Sequence, residues 1–149
     1  MKTSDLTISI LVDEAPEQAF DAINNVRGWW TGEPGIEGST DKLGDEFTYR
    51  QKDIHYSKQK VTESLPGKKV VWLVTDSKLN FIKNKSEWTG TKIIFEISEK
   101  NNKTQIRFTH MGLVPDSECY NDVSSAWNFY INSGLRDLIA KNKVQPQTS

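Results

Sequence analysis

The sequence predicts an α+β fold in which a curved antiparallel sheet wraps one long C-terminal helix, and three observations carry that prediction. Residues 47–111 hold five short runs of period-two apolar alternation separated by turn chemistry, a spacing that favours antiparallel neighbours. From Asn121 to Ile139 the period changes: Val123, Trp127, Tyr130, Ile131, Gly134 and Leu138 fall on one side of a 3.6-residue helix. Elsewhere the chain offers only short helical segments, so this wide apolar stripe has the sheet to lie against.

Taken in order, Leu6, Ile8 and Ile10 alternate with Thr7, Ser9 and Leu11 and predict a first strand ending at Asp13-Glu14-Ala15. Pro16 suits a first helical turn, where its missing N–H costs nothing, and Glu17 to Asn24 follow with Ala19, Phe20 and Ile23 inward. Val26 to Trp30 predicts another helical turn, and Gly32, Pro34, Gly35 and Gly38 mark an irregular segment. Strands are expected at Phe47 to Lys52, His55 to Ser64, Lys68 to Thr75, Thr91 to Ser98 and Thr104 to Met111. Leu65 to Lys68 and Glu99 to Lys103 read as hairpin loops, Asp76 to Ser86 as a longer loop, and Val144 to Ser149 as a frayed tail.

Alternation also sorts faces. Thr104, Ile106, Phe108 and His110 share an inward row, matched by Thr91, Ile93, Phe95 and Ile97 and by Phe47, Tyr49 and Gln51. A register slip of one residue would turn Trp72 outward. Trp88 points outward by parity with Phe95 unless Gly90 carries a bulge.

A chain of 149 residues suits one domain, 1–149, burying roughly 70% of its unfolded surface. Its 19 basic and 20 acidic side chains leave a net charge of −1, so no summed field would hold a phosphate backbone, and nucleic acid is not an expected partner. No apolar run reaches the ~18 residues of a membrane span, and Met1 to Thr7 lacks the order of a signal peptide. The lone Cys119 has no partner for an internal disulfide and no histidine near it in sequence, so it reads as a free thiol in a reducing, cytoplasmic setting. No G-x-G-x-x-G, P-loop, H-E-x-x-H or C-x-x-C pattern occurs, and His55 and His110 lack metal-ligand spacing; neither cofactor nor metal is expected.

Seven pieces recur in a recognisable order: the first strand leading into Ala15-Pro16-Glu17-Gln18-Ala19-Phe20, Trp29-Trp30, Gly44-Asp45-Glu46-Phe47, Val70-Val71-Trp72, Trp88-Thr89-Gly90-Thr91, Thr104 to Leu113 with His110, and the helix around Trp127. Through them nearly the whole chain resembles the helix-grip superfamily (SRPBCC) of START-like, polyketide-cyclase-like and Bet-v-1-like domains. Within it the chain resembles the group related to the C-terminal domain of activators of the Hsp90 ATPase. The resemblance implies a curved sheet gripping the C-terminal helix, with two short helices between the first and second strands. For function it implies several alternatives, since the fold hosts lipid transfer, hormone sensing, cyclisation and co-chaperone work.

The leading expectation is non-catalytic binding of a small hydrophobic or aromatic molecule, of lipid, flavonoid or polyketide type, between helix and sheet. Trp30, Phe47, Tyr49, Trp72, Phe95, Phe108, Trp127, Tyr130 and Ile131 would supply contact area, and His110 with the tyrosine hydroxyls would orient the ligand. This requires space between Trp127 and Phe108. Adjacent residues on a helical turn point ~100° apart, so one of Trp29 and Trp30 is expected at a boundary, capping the core or gating a cavity. An inward His110 needs a partner: it reads as a satisfied structural imidazole, a ligand anchor, or an acid–base group of a cyclase- or hydrolase-type enzyme. Gly134 costs roughly 1 kcal/mol against Ala in mid-helix, which fits either close backbone approach or a neutral surface position. A co-chaperone module acting on an Hsp90-type ATPase is the alternative from another class, and an exposed apolar patch would favour it.

Overall fold

Seven antiparallel strands form one sheet in the order β1-β7-β6-β5-β4-β3-β2 in the computed structural model, which describes residues 5–38, 42–83, 85–113 and 120–140. The strands are β1 Leu6–Val12, β2 Pro34–Gly38, β3 Glu46–Gln51, β4 His55–Leu65, β5 Lys69–Leu79, β6 Lys92–Lys100 and β7 Lys103–Met111. Between β1 and β2 lie helix α1 (Pro16–Asn24) and a 3₁₀ turn (Val26–Gly28). The last helix begins as α2 (Tyr120–Phe129), passes through a π segment (Tyr130–Leu135) and resumes α geometry over residues 136–140. Cys119 and the tail 144–149 lie outside the described residues.

The inward rows predicted by alternation meet across the sheet. Phe95 stands opposite Phe108, Ile93 opposite His110 and Ile97 opposite Ile106, while β1 sets Ile8 opposite Phe108. Against this floor the terminal helix buries Val123, Trp127, Ile131, Leu135 and Ile139. Burying each aliphatic side chain is worth about 1.5–3 kcal/mol, so the helix is held chiefly by this stripe. Arg136 also donates to the Leu11 carbonyl at 3.1 Å, tying the helix to β1.

Three expectations change. An uninterrupted 3.6-residue period puts Gly134 and Leu138 on the buried stripe. The π segment adds a residue to its turn, so the stripe continues instead through Leu135 and Ile139, and Leu138 is left half-buried. A Cβ on Gly134 would lie 2.8 Å from the Trp29 carbonyl oxygen, so the helix crosses the Trp29 backbone at a distance only glycine allows.

The second change concerns β5, which runs on to Leu79 rather than ending at Thr75. Its register with β4 shifts between Lys58 and Gln59, which pair with Asp76 and Val74 and leave Thr75 as the extra residue. That bulge reverses the faces of the last part of the strand, burying Ser77 and Leu79 and exposing Asp76 and Lys78. The third is β2, in the segment expected to be irregular. Its apolar content is a single Ile36, but it pairs in full with β3 as the edge of the sheet, where Pro34 is tolerated.

Candidate functional site

All five tryptophans enter one cluster. Trp29 and Trp30 are 1% and 2% exposed, so neither sits at the solvent boundary, and Trp30 alone of the two borders a cavity. The 3₁₀ turn ends at Gly28 and Trp29 leaves helical geometry (φ −132°, ψ −27°), so the two rings lie nearly parallel with centroids 6.3 Å apart. The Trp29 indole N–H donates to the Ile23 carbonyl, and Trp30 stacks on Tyr49 at 4.3 Å. Trp72 faces inward, edge-on to Phe47 and Phe95.

This packing closes the space expected between Trp127 and Phe108. Phe108 and Trp127 are in contact, with centroids 4.7 Å apart, and Phe95 packs edge-on to Phe108. Phe47, Trp72, Phe95, Phe108, His110 and Ile131 are thus brought together in the buried core, apart from the cavity described next. The remaining predicted residues, Trp30, Tyr49, Trp127 and Tyr130, do meet around an opening. It is a cavity of about 180 Å³ at the other end of the cluster, between α2, the β3–β4 hairpin and the turn after β5. Ile54 and Phe81 wall its outer side, Val123 and Ala126 its helical side, and Trp88 its floor. Gln51, His55 and Asp122 supply its polar groups. A wider groove of about 440 Å³ on another part of the surface is bordered by Lys68, Lys69, Glu96 and Arg107 and is shallower and more polar.

Trp88 is the wall residue that simple parity misplaces. It belongs to the turn before β6 rather than to the strand, and Gly90 (φ +92°) bends the chain so that its amide reaches the Val74 carbonyl. The bend turns the indole inward, where it is 2% exposed. Its N–H has no hydrogen-bond partner among the described residues. Gly90 was the signal in the sequence that could have found it.

His110 is fully buried and satisfied on both ring nitrogens. Trp127 Nε1 donates to its Nδ1 at 3.1 Å, and its Nε2 lies 2.8 Å from Thr91 Oγ1. An indole nitrogen only donates, which makes Nδ1 the acceptor and places the proton on Nε2. Thr91 accepts that proton and donates its own to the Trp88 carbonyl at 2.6 Å. Both ring nitrogens are thus engaged within the protein, the arrangement the structural reading of His110 requires. Burial pushes the ring down to about 3, with a smaller contribution from His55.

The inner row of β4 carries the other polar groups. Gln59 Nε2 donates to Ser57 Oγ at 2.6 Å, and Ser57 Oγ lies 3.2 Å from His55 Nε2. His55 meets Trp88 and Tyr49 edge-on at 4.6 and 5.1 Å, and burial lowers it to about 4. It is therefore neutral at pH 7. At the cavity mouth the hydroxyls of Tyr49 and Tyr130 both donate to the Thr31 carbonyl, at 2.8 and 2.9 Å. Burial and the neighbouring Tyr130 hold the Tyr49 hydroxyl above its ordinary range. No group of three or more metal-ligating side chains occurs among the described residues.

A curved antiparallel sheet closed by a long C-terminal helix, with two short helical segments between the first two strands, is the helix-grip fold. Solved structures with this fold are similar to this chain over nearly its whole length. The Aha1 dimer from Colwellia psychrerythraea superposes with a TM-score of 0.71 at 24% identity, over 91% of this chain and 96% of that one. Protein MLL2253 from Mesorhizobium loti gives 0.72 at 13%, over 93% and 98%. CalU16 from Micromonospora echinospora gives 0.64 at 13%, over 96% and 80%. Neither a protein-family sequence model nor a curated protein sequence matches the chain. No helix among the described residues is long and apolar enough to cross a membrane.

Proposed function

We propose that the chain binds a small, largely apolar molecule in the cavity walled by Trp30, Trp88, Trp127, Tyr49 and Tyr130. The observation that carries this reading is the cavity itself, an aromatic-walled space between helix and sheet. Its volume decides the ligand's size. An apolar cavity of roughly 150 Å³ holds a benzene ring, whereas drug-sized ligands occupy roughly 300–1,000 Å³. A single-ring or similarly compact molecule fits; a lipid chain or a polyketide does not fit inside this space. His110, with both ring nitrogens engaged inside the protein, offers the cavity no acid–base group, which supports binding as the first reading.

A thermal-shift titration with benzyl alcohol tests the reading. The native chain should be stabilised in a saturable way, and Ala126→Trp, which fills the mouth from α2, should remove the shift while folding normally. Equal shifts in both proteins would overturn it.

The similarity to the Aha1 structure favours a second reading, contact with an Hsp90-type chaperone. Phe129, 62% exposed on α2, is the largest apolar side chain offered to a partner on that helix. Stimulation of an Hsp90 ATPase by the native chain, reduced by Phe129→Ser, would support it; no stimulation would exclude it.

A further inference from the structure

We infer that the cavity's ligand is a small organic cation, a quaternary or tertiary ammonium, an inference that rests on the binding function proposed above and specifies its chemistry. Charge decides the class. Six aromatic residues border the space, among them Trp30, Tyr49, Trp88, Trp127 and Tyr130. Their π-systems are negative over the faces and attract cations, with tryptophan the strongest. The one charged side chain among the described lining residues is the carboxylate of Asp122, in the first turn of α2. No described ion pair or hydrogen bond engages it. Neither lysine nor arginine lines the cavity among the described residues, and the arginine that does sit over a ring, Arg50, covers Tyr56 instead.

A neutral aromatic ligand would fill the same volume without using Asp122. A carboxylate or phosphate ligand would meet the exposed carboxylate of Asp122 with no compensating cation among the described lining residues, and like charges repel. A methylated ammonium satisfies both features: its methyl groups pack against rings and its charge is neutralised by the carboxylate. It also needs no hydrogen-bond acceptor from the apolar walls, unlike a primary ammonium with three donors to satisfy. About 180 Å³ accommodates a head of choline size.

The test compares choline with dimethylbutanol, its neutral carbon isostere, by calorimetry on the full chain. Choline should bind about tenfold more tightly, the advantage expected for a partly desolvated cation–π site with a carboxylate. Asp122→Asn should weaken choline about fivefold and leave the isostere unchanged, whereas Asp122→Glu should retain choline binding. Raising the salt concentration should weaken choline alone. Equal or tighter binding of the isostere would overturn the cation assignment and leave the cavity's binding function standing. Binding of neither would overturn both. Co-sedimentation with phosphatidylcholine vesicles, competed by free choline, would place the same ammonium on a lipid headgroup; binding of choline without co-sedimentation would assign it to a free metabolite.

Discussion

The indole N–H of Trp127 donates to His110 Nδ1 at 3.1 Å, and through Thr91 the same imidazole reaches the carbonyl of Trp88. Two aromatic walls of the cavity, one on the helix and one on the turn before β6, are thereby fastened to one buried ring on β7. His110 braces both walls from behind.

Replacing His110 by Ala strands a buried donor, Trp127 Nε1, removes the proton that Thr91 Oγ1 accepts, and opens a void. The combined cost should be about 3–5 kcal/mol in urea unfolding. A loss below about 1 kcal/mol would contradict this network.

The pH dependence follows from the two imidazoles, both held below the ordinary histidine value of about 6.5. Between that value and the folded-state values, the unfolded chain binds protons that the folded chain refuses. Their contribution is therefore intact above about pH 6.5 and is lost as pH falls towards the folded-state values. Each histidine adds up to about 1.4 kcal/mol per pH unit to the slope. His110→Gln should reduce the slope between about pH 5 and 6 by close to one proton's worth. Urea titrations across that range measure it directly, and an unchanged slope would show that His110 takes up its proton in the folded state.

Gly134→Ala sets helix propensity against packing. Alanine gains roughly 1 kcal/mol as a helix former. Its Cβ would stand 2.8 Å from a backbone oxygen that has little freedom to move, and overpacking of this kind costs roughly 1–3 kcal/mol. A net loss of about 1–2 kcal/mol is expected in thermal or urea unfolding, and a stabilised variant would mean the helix does not cross Trp29 so closely.

Gly90→Ala tests the bend that turns Trp88 inward. A Cβ there would meet nothing within 4 Å, so the cost comes from the backbone, whose φ of +92° disfavours any side chain. The variant should lose about 1–3 kcal/mol and shift Trp88 emission to the red as the ring becomes wetter. Unchanged emission would show that the bend does not hold the ring in place.

Most of the architecture was legible because alternation and helical period are set by which face is dry. Phe95, Phe108 and Ile106 belong to the inner face on that ground and stand there opposed or side by side. Three of the misplacements share a cause, local departures that shift the period by one. The Thr75 bulge hid the end of β5, the Gly90 bend hid Trp88, and the π segment moved the buried stripe to Leu135 and Ile139. Four of the ten expected ligand contacts border the cavity, and the others pack solid, because parity reports which way a side chain faces but not whether its neighbours fill the space. His55 was legible only as a strand residue amid polar neighbours, since its nearness to Trp88 depends on a turn 33 positions further along the chain.

The most direct test of the central claim is an NMR titration of the five tryptophan indole N–H signals with choline. The account predicts saturable shifts for Trp30 and Trp88, with Trp29 and Trp72, buried in the filled core, unmoved. Shifts confined to Trp29 and Trp72, or none at all at saturating choline, would contradict choline binding at this cavity.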